Sequence, residues 1–139
     1  MGFGNRGAAA YRNVSVSSAV PYADSVQLIQ MLFDELMVSL ADAEGHIERN
    51  DIVAKTASIG RATKILNGLQ GGLDFEKGAE IAINLSDLYD YCVRRLLKGN
   101  MRNDSSMIQE VKGLIGEIQG AWRTLPELLS KNTGTPLAS

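Results

Sequence analysis

Histidine and cysteine are the side chains that most often carry catalysis or bind metals, and this chain has one of each, His46 and Cys92. A di-iron centre in a helical bundle needs a histidine from each of two helices besides its carboxylates. Zinc deaminase sites, H-E-x-x-H proteases and acid–base schemes with two histidines also need more of these residues than the chain holds. We therefore predict no metal, no cofactor, no small-molecule substrate and no enzymatic activity.

Three neighbouring glycines, Gly68, Gly71 and Gly72, do not form a phosphate-binding loop. Such a loop follows a strand and has Lys-Ser/Thr directly after its last glycine, whereas Leu73-Asp74 follows here and the preceding pattern is helical. Gly71-Gly72 is better explained as the end of a helix, where glycine readily supplies a left-handed residue.

His46 lies near the end of an acidic helical segment and has two interpretations. One is a solvated histidine that the negative C-terminal end of the helix stabilises. The other is the phosphorelay histidine of a phosphotransfer signalling domain built on a four-helix bundle. Such domains usually place a lysine and a glycine just after the histidine, whereas Glu48-Arg49 follows here.

Cys92 shares a helical face with apolar residues and is predicted to be a small core residue.

Gly113, Gly116 and Gly120 fall at i, i+3 and i+7, on one side of a predicted helix and away from its apolar stripe. Each costs roughly 1 kcal/mol in an exposed helix relative to alanine. Either the three glycines arose by neutral drift in a helix that tolerates them, or they form a shallow track where the backbone of a partner helix docks.

The composition narrows the remaining classes of protein. The chain has 139 residues, a size typical of one domain, and a formal net charge of −2, which gives no basic footprint for nucleic acid. Charged residues interrupt every apolar stretch, so no membrane span is predicted, and no signal segment opens the chain. A lone cysteine excludes an internal disulfide and fits a reducing compartment. We expect a cytosolic protein.

The architecture follows from proline spacing and apolar periodicity. No proline occurs between Pro21 and Pro126, which leaves room for long helices. Apolar residues spaced three and four apart predict four of them, beginning near Asp24, Asp51, Asp74 and Asp104, with the last one ended by Pro126. Short connections force neighbouring helices to be antiparallel. The predicted fold is all-α, an antiparallel up-down four-helix bundle over residues 24–126. A mobile N-terminal arm, residues 1–23, is able to add a short helix, and residues 127–139 form a flexible tail.

Apolar residues outside the four core stripes are candidates for partner binding. The first helix has such a wide apolar surface that we expect it to be covered on several sides. Met31 and Val38 on that helix, Ile83 and Tyr91 on the third, and the glycine track on the fourth are the predicted partner-binding residues. Tyr91 also brings a large amphipathic surface suited to interfaces.

The residues of the third predicted helix resemble the sequence pattern of a known protein family. Residues 73–85 and 88–91 resemble the pattern LD-x-E-x-GGEIA-x-NL followed by LY-x-Y, and residues 28–34 resemble an LI-x-MLYD segment. Leu97-Lys98-Gly99-Asn100, Glu110-Val111 and Ala121-Trp122 continue the match, which covers about residues 11–125. The pattern is that of the flagellin-specific export chaperones of the bacterial flagellum. The chain departs from it where Gly78-Ala79 replaces a double glycine and where Asp24-Ser25 replaces Ser-Pro.

The resemblance implies a function and two classes of partner. Members of this family bind the disordered C-terminal segment of flagellin in the cytosol, prevent early polymerisation and deliver the subunit to the flagellar type III export apparatus. Components of the export gate are further implied partners. Tyr11 matches the tyrosine of a mobile arm that covers part of the binding groove when it is empty. The alternatives are the phosphotransfer domain using His46 and a generic helical adaptor that binds a folded partner.

Overall fold

A computed structural model describes the backbone of residues 22–132 and the side chains of residues 26–123. Within that range the chain forms four α-helices and no strand. The helices are α1 (Tyr22–Glu48), α2 (Ile52–Gly71), α3 (Phe75–Arg102) and α4 (Ser105–Asn132). The predicted all-α fold is confirmed.

The helices pack as a closed ring of neighbours: α1 against α2, α2 against α3, α3 against α4, and α4 back against α1. Pairs of side chains show the direction of the contacts. Asp34 and Glu44 of α1 meet Gln119 and Lys112 of α4, so one helix ascends as the other descends. The predicted antiparallel up-down bundle is confirmed.

The core is the interior of this ring, and each helix contributes residues spaced three and four apart. Each connection between helices is short, so the stripes face one another across the interior. The largest fully buried apolar side chains come from all four helices and are Phe33, Leu36, Leu40, Ile59, Leu66, Leu96, Ile108, Val111 and Ile115.

Aspartates start three of the helices as the sequence predicts, because a carboxylate satisfies the free backbone N–H groups of the first turn. Asp51 accepts from the Ala54 N–H at 3.2 Å, and Asp74 accepts from the N–H groups of residues 76 and 77 at 3.0 Å each. Asp104 accepts from the Ser106 N–H at 2.9 Å. Asn103, in a left-handed conformation with φ of 51°, ends α3.

Two predicted helix boundaries are wrong. α1 begins at Tyr22, so Asp24 lies inside the helix and not at its cap. α4 continues through Pro126 to Asn132. A proline removes one backbone hydrogen bond, and the residues beyond it still bond to one another along the helix, so the loss of one bond does not end α4.

One residue inside α3 is not helical. Ala79 has φ of 47° and ψ of −120°, which is glycine-like backbone, and the helix axis changes direction there. The preceding Gly78 lies close to the next turn, since a Cβ built on it would stand 2.9 Å from the Ala82 Cβ. The first turn of α3 therefore forms a separate segment held by Asp74.

The division into a mobile arm (1–23), a bundle (24–126) and a flexible tail (127–139) stays a prediction. Residues 1–21 and 133–139 lie outside the described residues, and so does Tyr11. The backbone of residues 127–132 is helical.

Candidate partner-binding site

Three polar contacts hold α1 against α4 and place a surface between them. Lys112 forms a salt bridge with Glu44 at 2.5 Å. Gln119 donates to Asp34 at 2.5 Å, and Arg123 lies 3.5 Å from the same carboxylate. We call the outer surface beside these contacts the α1–α4 face and define it by Met31, Val38, Gly113, Gly116 and Gly120.

The α1 side of this face presents two exposed apolar side chains. Met31 is 64% exposed and Val38 is 52% exposed, although both lie in the middle of a helix. They are seven residues apart, which places them on the same side of the helix two turns apart. α1 packs against both α2 and α4, and among the described residues the side of α1 that carries Met31 and Val38 stays open. Covering the exposed half of each side chain would contribute about 1 kcal/mol.

The α4 side of the face lacks side chains. A Cβ added to Gly113 or to Gly120 would meet nothing within 4 Å, and one added to Gly116 would meet only the Met37 Cε, at 3.8 Å. Gly113 and Gly120 are also seven residues apart and exposed. The glycines therefore leave a shallow track on α4, the helix that packs against α1, where the backbone of a bound helix or extended segment could approach closely.

The two predicted α3 residues do not join this face. Ile83 is 52% exposed, and the next residue on its stripe, Asp90, contacts Gln70 of α2, so this side of α3 adjoins α2. Tyr91 is half-buried at the contact between α3 and α4, where its hydroxyl donates to Glu110 at 2.5 Å. Both residues stay predicted binding residues, on a different side of the bundle.

Tyr91 belongs to a small polar cluster with Arg95 and Glu110. Arg95 donates to the same carboxylate at 2.8 Å, and its Cζ lies 5.9 Å from the centroid of the Tyr91 ring. The hydrogen bond to Glu110 raises the pKa of Tyr91 above its usual value and holds the pKa of Glu110 below its usual value. The cluster ties α3 to α4.

Cys92 and His46, the two residues considered for chemistry, both make ordinary structural contacts. Cys92 is fully buried in the core, and burial raises its thiol pKa to about 11, so it is not a reactive nucleophile. His46 lies in the last turn of α1, where its Nδ1 is 3.0 Å from Arg49 Nη2. Because arginine can only donate, the ring nitrogen accepts in this contact.

The described residues contain no group of three or more His, Cys, Asp or Glu side chains that could hold a metal ion. Over the same part of the chain, no helix is long and apolar enough to cross a membrane.

Sequence periodicity missed part of the exposed apolar surface. Ile52, Ile81 and Leu97 fit core stripes by spacing, yet they are 53%, 70% and 51% exposed. Val53 and Met101, at 82% and 81%, were not singled out at all. The rule that selected Met31 and Val38, an apolar residue off the stripe, would also have selected these two.

A four-helix bundle with apolar side chains and a glycine track left open on its surface has features typical of proteins that bind another polypeptide. The comparisons give the family. The family model "Flagellar protein FliS" matches residues 7–128. The chain belongs to the FliS family.

Several relatives have established names. The chain is 51% identical over 120 residues to the flagellar secretion chaperone FliS of Salmonella typhimurium, covering 86% of this chain and 89% of the relative. It is 40% identical over 112 residues to flagellar secretion chaperone FliSB of Pseudomonas aeruginosa, covering 81% and 89%. It is 41% identical over 119 residues to Escherichia coli FliS, covering 85% and 88%. The predicted family and the role of flagellar secretion chaperone are confirmed, and this class of protein is not an enzyme class.

Proposed function

We propose that this chain is a cytosolic export chaperone that binds the disordered C-terminal segment of flagellin. By occupying that segment it prevents early polymerisation, and it presents the subunit to the flagellar type III export apparatus. Components of the export gate are the second proposed class of partner. Tyr11, Ile83 and Tyr91 are proposed to contact the bound segment outside the α1–α4 face.

The observation that carries this proposal is the α1–α4 face. Met31 and Val38 offer apolar contact at the spacing of two helical turns, and Gly113 and Gly120 offer open backbone at the same spacing. An amphipathic helix presents its apolar side chains with this period, so it could bury them against both sides of the face at once.

The physical basis is coupled folding and binding. A disordered segment loses conformational entropy when it becomes ordered on the chaperone, and the burial of apolar area offsets that cost. The FliS-family arm, with Tyr11, is proposed to cover part of the face when no cargo is bound. Displacing the arm would reduce the net affinity without changing the contacts of the cargo.

Titration calorimetry of the full chain against the C-terminal segment of flagellin from the same bacterium tests the proposal. We expect saturable binding with a clearly negative heat-capacity change, because apolar area is buried. Circular dichroism should show that the mixture is more helical than the sum of its parts. A peptide of the same composition in scrambled order is the control, and it should not bind.

A pair of valine substitutions locates the bound segment. Val38→Asp places a charge on the α1–α4 face and should weaken binding about tenfold or more, because the carboxylate would be desolvated against apolar cargo. Val53→Asp makes the same change on an exposed valine of α2 and should leave the affinity for flagellin unchanged. Absence of binding to the wild-type chain would overturn the proposed function, whereas equal loss in both variants would overturn only the assignment of the face.

A further inference from the structure

The methionines of the bundle fall into two groups that differ in their exposure to solvent. The chain has five methionines, and four of them, Met31, Met37, Met101 and Met107, lie among the described residues. Met31 is 64% exposed and Met101 is 81% exposed. Met107 is only 7% exposed, and Met37 is partly buried against the core. Of these four, Met31 and Met101 are therefore the side chains that a reagent in solution can reach while the bundle stays folded.

Met31 differs from Met101 in its position, because it belongs to the α1–α4 face. The core of the bundle takes Phe33, Leu36 and Leu40 from α1, whereas Met31 lies largely outside it. A thioether is apolar and polarisable on a flexible chain, and it suits a surface that packs against the side chains of a partner. Met31 therefore gains most of its contacts when the face is covered and contributes little to the packing of the free bundle.

An exposed thioether can be converted to a sulfoxide by hydrogen peroxide. The sulfur lone pair attacks one peroxide oxygen, the O–O bond breaks and an S–O bond forms. The hydroxide that leaves takes up the remaining peroxide proton and becomes water. The sulfur is oxidised by one electron pair and the peroxide is reduced by the same pair, so the step needs no further reagent. The product is a polar side chain in place of an apolar one.

We propose that Met31 is a reversible oxidation site that controls cargo binding at the α1–α4 face. The inference rests on the proposed function, since it concerns the same face. In the free bundle, water hydrates the sulfoxide oxygen of oxidised Met31. The apolar side of a bound flagellin helix would remove that water and offer no hydrogen-bond donor in its place, so oxidation weakens binding. Methionine sulfoxide reductases remove the oxygen and restore the apolar surface.

Oxidation at this position acts on binding and leaves folding intact. The side chain of Met31 is already largely in water, so a polar group there stays hydrated in the folded chain. Met107 is the opposite case, because a sulfoxide at a buried position would place an unpaired acceptor in the core. The folded bundle shields Met107 from peroxide, so the exposed methionines react first.

Peptide mass spectrometry of the full chain treated with hydrogen peroxide identifies the sites. Catalase removes the oxidant before any cargo is added, so only the chaperone is modified. Met31 and Met101 should each gain one oxygen well before Met107 does. Titration calorimetry should then show that the oxidised chain binds the flagellin C-terminal segment about tenfold or more weakly, the expected effect of desolvating one polar group. Its thermal unfolding, followed by circular dichroism, should match that of the untreated chain.

Leucine substitutions assign the effect to one sulfur atom, since leucine is apolar and has no thioether. The readout is the ratio of Kd after peroxide treatment to Kd before it, measured separately for each variant. The ratio should be close to one for Met31→Leu, whatever the affinity of that variant. Met101→Leu is the matched control, and its ratio should equal that of the wild type. Treatment of the oxidised wild type with the two methionine sulfoxide reductases, one for each sulfoxide epimer, should restore its affinity.

The outcomes separate the oxidation site from the proposed function. If the untreated chain does not bind the flagellin segment, the proposed function is overturned and the control by Met31 falls with it. If the untreated chain binds and the chain oxidised at Met31 binds equally well, only the control by Met31 is overturned. A loss of affinity that is the same in Met31→Leu and the wild type, with lower thermal stability in both, would also overturn it by assigning the effect to a methionine of the core.

Discussion

At the scale of single residues, Lys55 is the most informative polar side chain in the bundle. It is only 4% exposed, and its ammonium group has no carboxylate partner in the described contacts. It donates instead to the Asn100 carbonyl and to the Asn103 side chain, each at 3.0 Å. These acceptors lie at the negative C-terminal end of α3, so the charge is stabilised by the helix end as well as by hydrogen bonds. Lys55 thereby fastens the start of α2 to the end of α3.

Lys55→Met should lower the free energy of unfolding by about 1–3 kcal/mol, because it removes two hydrogen bonds to a charged donor while keeping a side chain of similar length. Urea denaturation followed by circular dichroism measures the change. Lys77→Met, at an exposed position of α3, is the control and should stay within about 0.5 kcal/mol of the wild type. Equal stability of Lys55→Met and wild type would show that the buried bonds contribute nothing net.

Because Cys92 is buried, the stability of the protein should fall in alkali as the thiol of the unfolded chain ionises. Its thiol pKa is about 11 in the folded chain and 9.0 without burial, so between these values the unfolded thiol ionises while the folded one stays neutral. Ionisation therefore favours the unfolded state, and the stability contributed by the neutral thiol is present below pH 9 and lost as pH rises towards 11. A difference of this size corresponds to about 2–3 kcal/mol.

Comparison with Cys92→Ala isolates this contribution from other groups that titrate in alkali. The difference in unfolding free energy between wild type and variant should shrink as pH rises from 9 to 11. Thiol-specific reagents should also modify Cys92 only as fast as the chain unfolds. Rapid labelling of the folded protein would contradict the buried position.

At the scale of the elements, the strained backbone at Ala79 predicts that a glycine substitution inside a helix increases stability, whereas such a substitution usually decreases it. Glycine adopts φ of 47° with ψ of −120° without strain, whereas alanine does not. Ala79→Gly should therefore stabilise the protein by about 1 kcal/mol. Ala41→Gly, at an exposed position in the middle of α1, should destabilise it by about the same amount. Both changes are measured by urea denaturation, and a loss of stability in both would show that Ala79 is helical in solution.

The elements were largely predictable because burial imposes the helical period on apolar residues. The predicted stripes identified core residues correctly, for example Leu36 and Leu40 on α1 and Val111 and Ile115 on α4, and Asp51 was recognised as a cap. The kink at Ala79 gave no signal, since alanine is the best helix former. Pro126 was misleading because it predicted the end of α4, whereas the helix continues to Asn132.

The edges of the stripes were harder to predict. An apolar residue three or four positions from a core residue can face either the interior or the flank of the helix, and spacing alone does not distinguish them. Ile81 and Leu97 illustrate the flank, and Ile52 is exposed because it is the first residue of α2. The α1–α4 face was predicted piecewise, as Met31, Val38 and three glycines. Only the packing of α1 against α4 shows that the two helices carrying these five residues are neighbours.

At the scale of the whole molecule, the bundle presents two open surfaces of different character. The α1–α4 face combines apolar side chains with bare backbone, and the outer side of α2 and α3 carries further exposed apolar side chains, among them Val53, Leu97 and Met101. They lie on different helix pairs, so a chaperone of this shape could hold its cargo on one side and contact another protein with the other. The central claim is that cargo binds to the α1–α4 face.

The most direct test is to compare Gly113→Leu with Gly60→Leu in calorimetric titration against the flagellin C-terminal segment. Both glycines lie in helices with open space in front of them, so both variants should fold and gain helix propensity. We predict that Gly113→Leu weakens binding about tenfold or more while Gly60→Leu binds as the wild type does. Unchanged affinity in Gly113→Leu, or a larger loss in Gly60→Leu, would contradict the assignment of the cargo to the α1–α4 face.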